Sequence, residues 1–508
     1  MLRSLWQNAA MATKAVRPQL RMMAAVLVLT AAVAGCSAGD PPRADQTAPA
    51  GTSGPVASGP VPSTPAEAPD PYAAGLSRPV ADKLYPGYGN ASLDVLHYGL
   101  DLAWAPGSRT LSGTATVTLR AVKAVRQISL DFSRAFTLDQ VSVDGARVTA
   151  KRSGHKLVLA KALPAGARAT LVVRYHGSPR PESMPGWSGW TGDGMGLRAM
   201  GNGEAWSIQQ PVGAFTWYPV NDHPSDEALY DIAVTVPKGW TGIATGQLVE
   251  STSRGSRTTW RWRSTDPAAS YATTLVIGRY EKHTATGPGR VPVTVWLRAG
   301  ADDHHRSLVK QFPAVLRWLA DRFGPYPFPA AGVVVVDSRS AMETQQMITI
   351  GSRSSGGQSL LLHEVSHEWF GNAVTPRDWT GIWLSEGIAT WIVGEWAIDR
   401  AGASRRSVVD GWRAEDRAAR ATAGPPGRPR ARHFGARNVY ASPALMLHEI
   451  RSTIGAAAFE RLLRDWVQTQ RHESVDRETF VRFVNAHTGR DLSALINTWL
   501  DSASTPAG

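Results

Sequence analysis

The chain has 508 residues, 43% hydrophobic and 19% charged, with 13 His, one Cys and a formal net charge of +12. That size and balance exclude a wholly disordered chain and leave room for two or three domains, each with its own core. A single Cys excludes an intramolecular disulfide, and scattered Lys and Arg without a binding signature argue against nucleic acid; a basic surface suits an anionic membrane or wall polymer instead.

At the N-terminus, Arg17 and Arg21 precede the apolar run MMAAVLVLTAAVAGC, the length of a signal-peptide core and short for a transmembrane helix. The run closes on Val33-Ala34-Gly35-Cys36, which resembles a bacterial lipobox. Residues 1–35 are therefore expected to be a lipoprotein signal peptide. Cys36 would then be the lipidated residue that holds the protein on the extracytoplasmic face of the cell membrane; the competing reading is a buried thiol without a role. Met11 is an alternative start. Residues 36–83, rich in Pro, Ala, Gly and Ser, carry few large apolar side chains to offset chain entropy, and are expected to be a disordered tether.

Over residues 84–282, segments such as GTATVTLRAV, ATLVVRYHG, LYDIAVTVP and TTWRWRS alternate apolar and polar positions between Gly, Pro and Asp turns. That period of two predicts an N-terminal β-sandwich domain. From residue 283 to 508 the pattern changes. Strands in VPVTVWLRAG and AAGVVVVDS give way to helical spacing in HRSLVKQFPAVLRWLADRFG, SLLLHEVSHEWFG, IWLSEGIATWIVGEWAID, SPALMLHEIRSTIG and AAFERLLRDWVQTQ, which predicts a mixed α/β module.

The helical module holds the chemistry. In LLHEVSHEWFGN, His363 and His367 stand four apart, on one face of a helix and one turn up, so two imidazole nitrogens can converge on one cation. Glu364 can reach a water on that cation without ligating it. Alone, the pattern also fits polar residues satisfied at a helix surface. Glu386, in the following helical segment, supplies a third donor of the kind hydrolytic zinc sites use, with one position left open. A His, His, Glu set without Cys favours one Zn²⁺, although spacing also admits Co²⁺ or Mn²⁺.

With these residues the sequence resembles the zinc aminopeptidases of the aminopeptidase N family, a gluzincin family, over nearly all of residues 84–508. The family pattern of H-E-x-x-H, eighteen residues and Glu is matched by His363, Glu364, His367 and Glu386, with flanks at Trp369–Asn372 and Trp383–Ala389. LYPGYGN, FTWYPVNDHPSD and FGPYPFP are similar to other family segments. The resemblance implies a multidomain β and α/β fold: a β-sandwich domain followed by a thermolysin-like mixed α/β zinc-peptidase domain. The chain ends at DLSALINTWLDSASTPAG, similar to the close of the family's catalytic domain, without the large C-terminal helical domain of longer members. The family's Gly-Ala-Met-Glu-Asn edge-strand motif is matched by Ser340-Ala341-Met342-Glu343-Thr344. It implies that Ala341 and Met342 line the peptide and that Glu343 binds its free α-ammonium group. Gln210 matches a second group at the amino end. Tyr440 matches the tyrosine that steadies negative charge on the scissile carbonyl.

The function implied is hydrolysis of the N-terminal peptide bond of peptides, with Glu364 as general base and acid. The loss of Gly and Asn around Glu343 leaves open a lipid-anchored endopeptidase of thermolysin type, and an inactive scaffold lipoprotein is the remaining alternative. Residues 419–438 hold Arg420, Arg428, Arg430, Arg432 and Arg437 with no acid, and their Gly and Pro oppose a regular helix. Because this segment leads to Tyr440, it is expected near the site entrance, where it is either a solvated loop or a field favouring peptides acidic beyond the scissile bond.

Overall fold

A computed structural model describes residues 70–183 and 194–507, so the signal-peptide and lipidation readings, Cys36 included, lie outside the described residues. Eight strands build the main sheet: β1 (Leu93–Ala105), β2 (Thr110–Ala121), β3 (Phe136–Val143), β4 (Ala146–Arg147), β5 (Arg168–Gly177), β6 (Glu227–Pro237), β7 (Gln247–Arg254) and β8 (Arg257–Ala269). Their order is β7-β8-β6-β1-β2-β5-β3-β4. β1 and β6 run parallel and the other neighbours antiparallel. In β2, Leu111, Gly113, Ala115, Val117, Leu119 and Ala121 are buried while the alternate residues are partly or fully exposed, which is the alternation read from the sequence.

Two smaller sheets lie against this one. One contains residues 128–131, 150–153 and 156–159; the other contains residues 196–199, 205–208, 241–244 and 275–278. Trp262 of β8 donates its indole N–H to the Gly242 carbonyl (2.9 Å). Gly242 is packed so closely on Val234 of β6 that an added Cβ would meet it at 2.5 Å. The expected sandwich is present.

The end of the predicted tether needs correcting. Ser77 Oγ donates to Asp94 Oδ1 (2.7 Å), and the Val80 N–H bonds to Ser225 Oγ (3.0 Å). Asp82, 3% exposed, accepts the backbone N–H groups of Leu84, Tyr85 and Trp379, each at 2.7 Å. Residues 71–83 are thus tied to distant residues by hydrogen bonds, a kind of order that composition does not register.

Four further strands, β9 (Tyr280–Thr286), β10 (Pro292–Arg298), β11 (Ala331–Val336) and β12 (Ile348–Gly351), form a separate sheet in that order. Every residue of β11 is buried, as its unbroken AGVVVV run and its parallel pairing on both sides require. Helices α1 (Leu308–Phe323), α2 (Gly357–Ser366), α3 (Ile382–Arg400), α4 (Arg405–Ala423), α5 (Ala441–Ile454), α6 (Ala456–Gln470), α7 (Arg477–Thr488) and α8 (Ser493–Asp501) complete the α/β part. No helix among the described residues is long and apolar enough to cross a membrane.

Candidate active site

Helix α2 carries His363, which is partly exposed, and Glu364, which is buried. His367 caps it with helical angles (φ −63°, ψ −22°), so the spacing of four keeps both imidazoles on one face. The chain then departs from helix through Glu368–Asn372, where Gly371 takes φ 145°. A Cβ at Gly371 would stand 3.1 Å from His367 Nδ1, so glycine is required by both backbone and space. His367 Nδ1 bonds to the Phe370 carbonyl at 3.1 Å, which fixes the ring and turns Nε2 towards the site.

Glu386 enters from α3. Its Oε2 lies 3.1 Å from His363 Nε2 and 3.6 Å from His367 Nε2, and the two imidazole nitrogens are 3.3 Å apart. A tetrahedral zinc with bonds of about 2.0–2.1 Å has ligand–ligand edges of about 3.3–3.4 Å, so the three donors fit one zinc ion. This is the one group of three or more His, Cys, Asp or Glu side chains among the described residues able to hold a metal. Burial would raise the Glu386 carboxyl, but His367 and His363 outweigh it and hold it at about 2, anionic as a ligand must be. His367 is the converse: burial lowers it, and the surrounding carboxylates, Glu386 first, bring it to about 10.

Glu364, 4% exposed, stands beside the trio without joining it. Burial, then the Glu343 charge, pushes its carboxyl well above the usual range. Tyr440, 5% exposed, stacks on His363 with ring centres 6.1 Å apart. Its hydroxyl is buried and has no hydrogen-bond partner among the described residues. Such a group costs about 1–3 kcal/mol and marks a donor with a partner still to come.

Gln210 and Glu343, far apart in sequence, meet: Gln210 Nε2 donates to Glu343 Oε1 at 2.6 Å. Burial, reinforced by Glu386 and opposed by His367, raises Glu343 to about 7. The segment around it does not form the expected edge strand. Met342 and Thr349 of β12 exchange two backbone bonds (2.8 and 3.0 Å), a single antiparallel bridge rather than a strand. Thr344 then turns the chain back by bonding to Met347 and Thr349. Ala341 and Met342 are 4% and 2% exposed, so their side chains are buried in the protein.

The structure adds residues that the motif reading passed over. Glu368 accepts the Tyr326 hydroxyl (2.9 Å) and the Gln346 N–H (3.0 Å), bracing the turn behind Glu343. Tyr271 donates to the Gly371 carbonyl (3.0 Å) from the β-rich part. A carboxylate beside His367 in an apolar run was a visible signal for Glu368; Tyr271 had none.

The arginine segment also differs from expectation. Residues 419–423 are the last turn of α4, and Arg420, 3% exposed, is a core residue. It bonds to Asp416 (2.8 and 2.9 Å), the carbonyls of Trp499 and Ser502 (2.6 and 2.5 Å) and Ser442 Oγ. A helical i, i+4 partner outside the all-basic window made this possible. Arg428 pairs with Asp501 and Arg437 with Glu415, so Arg430 and Arg432 remain as the segment's exposed cations without an ion-pair partner among the described residues.

Comparison with known proteins matches residues 309–499 to the Peptidase family M1 domain and residues 95–272 to the Peptidase M1 N-terminal domain. Aminopeptidase M1 of Arabidopsis thaliana is 23% identical over 336 residues, covering 58% of this chain and 36% of that protein. Aminopeptidase B of Mus musculus is 24% identical over 374 residues, covering 64% and 54%. The chain thus spans about a third to a half of the length of these curated relatives. The crystal structure of an M1 zinc metallopeptidase from Deinococcus radiodurans superposes with a TM-score of 0.76 at 29% identity, over 84% of this chain and 98% of that one. A mutant of that enzyme has been solved bound to a Tyr-Ser-Ala substrate, with the same TM-score of 0.76, identity of 29% and coverage of 84% and 98%.

Proposed function

The chain belongs to the M1 peptidase family, the gluzincin family of aminopeptidase N, and on that premise we propose that it is a zinc-dependent aminopeptidase that removes N-terminal residues from peptides. One observation carries the reading: the zinc-fitting trio His363, His367 and Glu386 lies beside the bonded Glu343–Gln210 pair. A metal-bound site alone would suit an endopeptidase; a buried carboxylate paired with an amide next to it suits a substrate that begins with an ammonium group.

A zinc ion held by the trio would supply Lewis acidity and a water acidified to near neutral pH. Glu364 takes the proton of the attacking water and passes it to the nitrogen of the leaving peptide. The unpartnered Tyr440 hydroxyl donates to the scissile carbonyl oxygen as negative charge grows there. Glu343 and Gln210 hold the α-ammonium group and set the first peptide bond at the metal.

Lipid anchoring through Cys36, which would place the enzyme on the outer face of the membrane, is part of the same proposal and rests on the lipobox-like sequence alone. The catalytic reading is tested by metal analysis and turnover of Glu364→Gln and His363→Ala/His367→Ala. The first should keep one zinc per chain and lose several orders of magnitude in kcat, while the second should lose the metal. Stoichiometric zinc in the double variant would sink the ligand assignment.

A further inference from the structure

The donor trio has an acidic group at one imidazole and a basic group at the other. At His367, Asn372 bonds through its N–H to the His367 carbonyl (2.9 Å) and through its side-chain amide to the Glu343 carbonyl (2.8 Å), so Glu343 is fixed to that end. At His363, Tyr440 stacks on the imidazole, and the Arg437 guanidinium carbon lies 5.3 Å from the centre of the Tyr440 ring. Glu415 takes the Arg437 Nε–H and fixes the guanidinium plane. The two Nη groups make no hydrogen bond among the described residues, and the side chain is 44% exposed.

We propose that Arg437 is a specificity-determining residue that receives a carboxylate from the leaving half of the substrate, so the enzyme favours short peptides with negative charge just beyond the scissile bond. The inference rests on the aminopeptidase reading. With the ammonium group held at the His367 end, the reacting carbonyl lies at the trio and the leaving half extends towards the His363 end, where Arg437 stands. A guanidinium held by Nε presents its two Nη groups as a fork matched to a carboxylate. The carboxylate has two sources, the terminus of a dipeptide or an acidic side chain on the residue after the cut.

The test compares kcat/KM for Ala-Ala, Ala-Ala-amide, Ala-Asp-amide and Ala-Asn-amide, with zinc-loaded wild type, Arg437→Gln and Arg437→Lys at low and high salt. An exposed charge pair predicts a preference of about fivefold for the charged member of either pair, expressed in KM and reduced by salt. The preference should vanish in Arg437→Gln and persist in part in Arg437→Lys. Preference for Ala-Ala over its amide identifies the terminal carboxylate as the ligand; preference for Ala-Asp-amide over Ala-Asn-amide identifies the side chain. Calorimetric binding of the same peptides to Glu364→Gln reads the ratio without turnover. Cleavage with both ratios near one in wild type, or a ratio unchanged in Arg437→Gln, overturns the inference and leaves the aminopeptidase reading standing. Failure to cleave any of the four overturns both.

Discussion

Gly387 lies against Pro443: a Cβ on the glycine would stand 2.3 Å from the proline Cβ. Gly387 follows the ligand Glu386 on α3, and Pro443 lies in the first turn of α5, whose N-cap is Tyr440. The absent side chain lets the helix with the proposed third metal donor approach the helix capped by Tyr440, the proposed oxyanion donor. Gly387→Val should force them apart, costing about 1–3 kcal/mol of stability by overpacking and weakening zinc retention. Thermal unfolding with and without a chelator measures both effects. Unchanged stability and unchanged metal retention would show that the contact does not set the helix spacing.

Glu227, at the start of β6, is buried and accepts the Thr375 hydroxyl. Burial pushes its carboxyl up to about 8. The folded state therefore keeps the proton after the unfolded chain has lost it near its ordinary value of about 4.3. This stabilising contribution is full below that lower value and is lost as pH rises through 8. Glu227→Gln imitates the protonated form without titrating. The unfolding temperature of wild type minus that of Glu227→Gln should fall steadily between pH 5 and pH 8. A constant difference would mean that Glu227 is ionised in the fold throughout.

Replacing Cys36 by Ala should release active enzyme into the medium in cells that still export it. The measurement is peptidase activity and protein in membrane and soluble fractions. Unaltered retention in the membrane fraction would count against a lipid anchor at Cys36.

The candidate metal donors could be named from the sequence because helical geometry is periodic: a spacing of four fixes two imidazoles on one face, and the side chains of His363, His367 and Glu386 converge. Gln210 and Glu343 were legible through family resemblance, since nothing local ties two polar residues so far apart. The order of residues 71–83 was hidden because it depends on single long-range bonds, such as Asp82 to the Trp379 N–H. The arginine segment misled for a related reason. Charge counted along the chain does not show which side chains are buried, and Arg420 is a core residue. Around Glu343 the edge motif shrinks to one bridge, Met342 to Thr349, after which the chain turns and the Thr344 hydroxyl bonds to the Met347 carbonyl.

The central claim is that a free amino terminus is bound beside the metal by Glu343 and Gln210. The most direct measurement is mass-spectrometric product analysis of one peptide, free and N-acetylated, incubated with the zinc-loaded protein. The account predicts stepwise loss of N-terminal residues from the free peptide and at least a hundredfold less cleavage of the acetylated one, by analogy with sites whose buried polar groups are left unpaired. Equal cleavage of both peptides, or cleavage at interior bonds, would contradict it.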